Sequence, residues 1–220
     1  MKIKPILLIL SISLFSCAKK NVFIQEKITP NPFDNLLRGE LVEEVYLIGD
    51  TGADSSKSKY ALNLLGKHLK ASDDSKTSVI FLGDNIYPKG LHKKDHPLRA
   101  QDEINIDAQL KILEGFKGEI AFIPGNHDWQ QGGEDGFEHI KRQEDYVQDK
   151  FGDKIFHPSD GCAGPKDIEI SDNLTLVLID TQWWLQKYEK GRGEKDDCNN
   201  STEEEFLREF KDILKKNRNK

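Results

Sequence analysis

Three stretches of this chain share one pattern: an apolar run that ends in glycine beside an oxygen-bearing side chain. They are residues 45–52 (VYLIGDTG), 79–88 (VIFLGDNIYP) and 120–128 (IAFIPGNHD). A short, continuous apolar run bounded by turn-forming residues is the pattern of a strand buried on both faces. Glycine permits a tight turn or a close approach of two backbones, and Gly49, Gly52, Gly83 and Gly125 stand at these ends. Each run therefore delivers a donor to a strand tip: Asp50, Asp84 and Asn126. Tyr87 adds a phenol three residues after Asp84, and His127-Asp128 follow Asn126 directly.

The segments between the runs have helical spacing. Ala61, Leu62, Leu64, Leu65 and Leu69 recur within residues 55–70; Ile104, Ile106, Leu110, Ile112, Leu113 and Phe116 recur, with breaks, within 99–116. Residues 134–150 are polar and helix-prone. Residues 168–170 and 174–179 flank Ser171-Asp172-Asn173 and predict a hairpin. Ser201-Thr202-Glu203-Glu204 predicts a capping box that opens a last helix over 203–216, with Phe206, Leu207, Phe210 and Leu214 on one face. The order β-α-β-α-β-α-ββ-α implies an α/β fold with a largely parallel sheet and crossover helices. In such sheets sites form at the carboxyl ends of strands, where all three donors fall.

Charge narrows the functional classes. The formal net charge is −6 and charged residues make up 32% of the chain, which argues against a nucleic-acid partner held by a basic surface. An anionic substrate would need local cations, and metal ions would serve. Asp50, Asp84, Asn126 and Tyr87 are oxygen donors, which suit hard cations, and a phenolate favours a trivalent ion. A cation pair bridged by a carboxylate can hold both oxygens of a phosphoryl displacement. His127 suits a general acid or a phosphate contact, with Asp128 as its orienting partner.

Residues 1–17 have a positive start, a short apolar core (residues 5–15, PILLILSISLF) and Ser16-Cys17, the shape of an export signal too short to span a membrane comfortably. Its end resembles a bacterial lipobox, which implies lipidation of Cys17 and an exported, membrane-anchored protein, periplasmic or at the cell surface. Residues 18–42 read as a tether and 43–220 as the folded domain. With Cys17 lipidated, Cys162 and Cys198 remain as an even pair, and a disulfide between them suits an oxidising compartment.

Asp50-Thr51-Gly52, Gly83-Asp84-Asn85-Ile86-Tyr87 and Gly125-Asn126-His127-Asp128 together resemble the first three motifs of the calcineurin-like metallophosphoesterases. The form of the first motif and the tyrosine in the second resemble the purple, tartrate-resistant type of acid phosphatase. The resemblance covers residues 43–181. It implies the first half of a β-sandwich flanked by helices, and hydrolysis of phosphate monoesters by a hydroxide held on a dinuclear centre of Fe(III) plus Fe(II), Zn(II) or Mn(II). It implies Asp50 and Tyr87 as ligands of the Fe(III) site, Asp84 as the bridge, Asn126 as a ligand of the second site and His127 as the substrate contact. The family's later motifs carry three further histidines, and this chain has none after His157. The expectation is a truncated domain, C-terminal half missing and inactive alone; the alternative is a degenerate, non-enzymatic lipid-anchored relative. No protein partner is evident.

The remaining residues are expected to be structural. His92 and His96 sit in a loop with Pro88, Gly90 and Pro97 and read as solvated. His68 and His139 read as helix-surface residues, and Asp180 as a cap or supporting group. Trp183-Trp184 suggest core packing where two half-domains meet. With one half absent, Val177, Ile179, Trp183 and Phe210 are candidates for exposed apolar surface.

Overall fold

The structure, a computed structural model, describes residues 41–53, 55–152 and 155–218, with the backbone alone at 55–57. The signal segment with Cys17, and the tether as far as residue 40, lie outside the described residues. The three apolar runs form β1 (Glu44–Ile48), β2 (Thr77–Phe81) and β3 (Glu119–Phe122). They make one parallel sheet in the order β1-β2-β3. Helices α1 (Ser55–Leu69) and α2 (Arg99–Lys111) are the crossovers, and α3 (Gly136–Phe151) follows β3. Because the strand order advances in one direction, right-handed crossovers place α1 and α2 on the same face.

Alternation along the strands divides the core in two. Tyr46, Ile48, Val79, Phe81, Ile120 and Phe122 face the helices and pack with Leu62, Leu65, Ile106, Leu110, Ile140 and Val147. Phe81 and Phe122 stack with ring centroids 4.1 Å apart. The opposite face carries Val45, Ile80, Ala121 and Ile123, covered by Ile168, Leu176 and Leu178. Those last three belong to an antiparallel hairpin, β4 (Lys166–Ser171) and β5 (Leu174–Leu178). The described residues are thus mixed α/β, with helices, parallel sheet and hairpin in layers.

The apolar run of β1 predicts burial on both faces, but the structure leaves Leu47 62% exposed. Among the described residues β1 pairs with β2 alone and is an edge strand, and the hairpin cluster reaches Val45 but not Leu47. β2, paired on both sides, is buried at all five residues. The outer side of β3 is partly covered: Phe122 N–H donates to the Ile155 carbonyl at 2.6 Å, and His157 N–H to the Phe122 carbonyl at 2.7 Å.

The C-terminal part corrects several expectations. A short helix, α4 (Thr181–Leu185), was not anticipated; Asp180 caps it by accepting from the Gln182 and Trp183 N–H groups at 2.9 and 3.1 Å. Trp183 is buried, not part of an exposed face: its Nε1–H donates to the Gly191 carbonyl at 2.9 Å and the Lys190 ammonium lies 3.9 Å from its ring. Ile179 and Phe210 pack against the main core, and Val177 is half-buried. The capping box of α5 (Glu203–Lys216) lies one residue later than predicted, with Thr202 and Glu205 as partners. The buried stripe of α5 differs from the expected one: Phe206 and Ile213 are buried, while Leu207 and Leu214 are exposed. Cys162 and Cys198 are joined by a disulfide with Cα atoms 5.6 Å apart, which ties the loop before β4 to the loop before α5. No described helix is long and apolar enough to cross a membrane.

Asp180 has a further partner, the Trp129 indole N–H at 2.7 Å, and is fully buried. Burial raises its pKa to about 7, opposed by these hydrogen bonds. A carboxyl with a raised folded pKa keeps the folded state more protonated than the unfolded state, so its contribution is full at low pH and is lost as pH rises through about 7. Between pH 5.5 and 7.5 this one group should lower stability by about 2 kcal/mol. Urea unfolding midpoints at the two pH values measure the effect, and an Asp180→Asn variant should show a shallower pH dependence.

Candidate metal centre

The three strand ends close on one another through their backbones. Asp50 N–H donates to the Gly83 carbonyl at 3.1 Å, Gly52 N–H to the Asp84 carbonyl at 3.0 Å, and Tyr87 N–H back to the Gly52 carbonyl at 2.9 Å. Such contacts leave no room for side chains at the crossing points. A Cβ on Gly52 would collide with the Asn85 carbonyl carbon, and one on Gly125 with the Asp84 amide nitrogen. Gly49, by contrast, has ordinary space around it.

One buried carboxylate holds the second and third ends together. Asp128 is wholly buried and accepts from the N–H groups of Asn85 (3.0 Å), Ile86 (3.0 Å) and Gly125 (2.7 Å), and from the Asn85 side-chain amide (3.1 Å). Burial pushes its pKa up to about 6, with the Gly125 and Asn85 N–H groups acting the other way. Gln109 of α2 secures the first end. It accepts from the Thr51 hydroxyl at 2.8 Å and donates to the Asn85 carbonyl at 2.7 Å. This also explains the broken apolar period of α2: Asp102, Asn105 and Gln109 are buried on its site-facing side.

On this platform Asp50, Asp84 and Tyr87 converge. The Tyr87 hydroxyl oxygen lies 2.7 Å from Asp50 Oδ1 and 2.9 Å from Asp84 Oδ2. A phenol has one proton and cannot satisfy two carboxylates at once. Its pKa is driven well above the usual range, first by burial and then by hydrogen bonding to both carboxylates. Asp50 and Asp84 are both held at positive φ, 58° and 55°, a region uncommon for residues other than glycine. Among the described residues neither is in an ion pair with Lys or Arg. Among the described residues the group therefore gathers negative charge at one point with no ion pair to a basic side chain to offset it.

Asp50, Asp84 and Tyr87 could hold a hard cation: octahedral coordination with bonds of ~2.0 Å separates adjacent donors by ~2.8 Å, and the phenol oxygen lies 2.7 and 2.9 Å from the two carboxylates. Asn126 is exposed and bracketed by two contacts to Asp84: Gly125 packs on the Asp84 backbone, and His127 N–H donates to Asp84 Oδ1 at 3.0 Å. Asp84 thus has one carboxylate oxygen on the Tyr87 hydroxyl and the other on the His127 N–H, while no hydrogen bond joins the Asn126 side chain to this group among the described residues.

Asp128 does not orient His127, as its order in sequence suggests. Its carboxylate is committed to the backbone of the two ends. His127 Nδ1 instead lies 2.7 Å from the Pro88 carbonyl and 3.2 Å from the Gln131 side-chain amide. The carbonyl only accepts and Gln131 Nε2 only donates, so the two contacts call for opposite tautomers; the shorter one, to Pro88, assigns the proton to Nδ1. The His127 ring lies against that of Tyr87, centroids 4.0 Å apart. Comparison of the chain with protein-family models, with curated proteins and with solved structures finds no match.

The roles of Asp128 and Tyr87 can be separated by stability. Asp128→Ala strands several buried N–H groups at about 1–3 kcal/mol each and should cost more than about 3 kcal/mol. Tyr87→Phe in the metal-free protein should change stability by less than about 1 kcal/mol. Denaturant unfolding of both variants tests the contrast.

Proposed function

We propose that residues 43–220 belong to an exported metallophosphoesterase of the calcineurin-like type, in the purple acid phosphatase branch, acting on phosphate monoesters. The observation that carries this reading is the convergence of Asp50, Asp84 and Tyr87 at the carboxyl ends of adjacent parallel strands, with His127 beside them. Two separate segments supply the three converging oxygens, Asp50 from the first and Asp84 with Tyr87 from the second, and both carboxylates stand on strained backbone. Helix capping or turn formation would not require such convergence.

Asp50, Asp84 and Tyr87 would hold Fe(III), and Asp84 with Asn126 would contribute to a second, divalent site of Fe(II), Zn(II) or Mn(II). Such a pair, when bound, supplies Lewis-acid stabilisation of phosphoryl oxygens and an acidified water. The chain's own residues do the positioning. His127 N–H fixes the Asp84 carboxylate. The Pro88 carbonyl accepts from the Nδ1–H of His127, so the neutral ring presents Nε2 as an acceptor; a second proton taken up at Nε2 would let the ring donate to a phosphate oxygen or to a departing alkoxide. Asp128 keeps the second and third strand ends in register while these groups work. Attachment to a membrane through a lipid on Cys17 is part of the same proposal.

Two donors, Asp84 and Asn126, are few for the second cation. This chain should therefore take up one Fe(III) tightly and turn over a chromogenic phosphate monoester at or near background. Fe(III) titration should give a phenolate-to-iron absorption band in the visible. The band should be absent in Tyr87→Phe, and Asp84→Asn should weaken iron binding by about 10-fold or more. Absence of the band in the unmodified chain would overturn the ligand assignment.

A further inference from the structure

Beside the strand ends lies a cavity of about 460 Å³ between the loop 88–97 and the start of α3. Its walls correct two expectations from sequence. His92 is buried rather than solvated, and His139 is buried rather than on a helix surface, at 9% and 4% exposure. The reason is a polar packing layer. His92 Nδ1 lies 2.8 Å from Asp102 Oδ2 of α2, His96 stacks on His92 with centroids 3.9 Å apart, and His139 meets the edge of His92 at 5.2 Å. Lys89, Lys93 and Arg142 complete the cationic lining, against the carboxylates of Asp95 and Asp135.

Several donors in this cavity have no partner among the described residues. His139 Nδ1 is buried with no hydrogen bond. An unsatisfied buried polar atom is costly, and native structures rarely keep one without a reason. Lys89 and Lys93 form no ion pair among the described residues. His96 Nδ1 accepts from the Leu98 N–H at 3.2 Å, so its Nε2 carries the proton in the neutral ring. Arg142 uses Nε on the Leu91 carbonyl, and Nη1 lies 4.0 Å from Glu138, so part of its fork is uncommitted. Burial is the main cause that pushes the His139 pKa down to about 4, with Arg142, His92 and His96 adding to it and Asp135 opposing it. Donors that line the cavity from two elements, with two lysines and an arginine among them, suit a multiply charged oxyanion.

The cavity is joined to the proposed catalytic edge by the chain itself. Lys89 follows Pro88, whose carbonyl holds His127, and Gln130 of the third strand end also lines it. At 3.8 Å per residue, the rim lies within a few residue lengths of His127.

We propose that this cavity is a second oxyanion site that receives a phosphate group on the alcohol portion of the substrate; the assignment of substrate rests on the metallophosphoesterase reading above. The favoured substrates are then phosphate monoesters bearing a second phosphate, one group at the strand ends and the other among Lys89, Lys93, His96, His139 and Arg142. Discrimination comes from the bidentate and point-charge donors of the cavity, which a neutral alcohol leaves unused.

The test uses the full chain freed of metal with a chelator, with ¹⁵N-labelled histidine rings observed by NMR. Inorganic phosphate should shift the His92, His96 and His139 ring signals saturably. Lys93→Gln and Arg142→Gln should each weaken that binding about tenfold. Asp84→Asn should leave it unchanged, because the cavity does not use the metal ligands. Shifts confined to His127, or undiminished binding in both charge variants, would overturn the proposal. Equal saturation by acetate would overturn the assignment to phosphate. Failure of the chain to take up iron while the cavity titration succeeds would count against the metallophosphoesterase reading alone.

Discussion

The carboxylate of Asp128 is the constraint on which the rest of the site depends. It is buried, raised in pKa by that burial, and saturated by N–H groups from two different strand ends. A buried charge of this kind persists only when fully hydrogen-bonded, so the two loops cannot separate without stranding it. Because those loops are held, Asp84 and Tyr87 are held. The exposed donors need no rigidity of their own; they inherit it from a group that never meets solvent.

The same logic explains why polar residues line the inner sides of two helices. α2 buries Asp102, Asn105 and Gln109, and α3 buries His139, Gln143 and Glu144. Neither helix presents a clean apolar stripe, since each must face both the core and the polar loops at the sheet's carboxyl edge. Hydrophobic packing fixes where the strands end; hydrogen bonds through Gln109 and Asp128 fix how those ends sit against one another.

Much of the architecture was legible in the sequence because it follows periodicity. The crossover helices follow from apolar residues at helical spacing, and the strands and hairpin from short apolar runs bounded by glycine and other turn residues. The candidate donors were legible too, as each stands where an apolar run stops. Phase was harder. The stripe of α5 keeps Phe206 and takes Ile213 in place of Leu207 and Leu214, because which face of an amphipathic helix is buried depends on what it packs against. The exposure of Leu47 was illegible because edge or centre is a property of strand order, which one strand's residues do not encode.

Sequence by itself determined which residues reach the strand ends and what chemistry they carry: two carboxylates, an amide, a phenol and an imidazole. Local rules suffice for this, since glycine and strand length act within a few residues. Tertiary structure alone decided the partners. It gave Asp128 to the backbone and the Pro88 carbonyl to His127, brought Asp50 to Tyr87 across 37 positions, and buried His92 against Asp102 and beside His139. Those pairings depend on how far separate loops approach when the sheet and helices pack, a distance set by the whole fold rather than by any one segment.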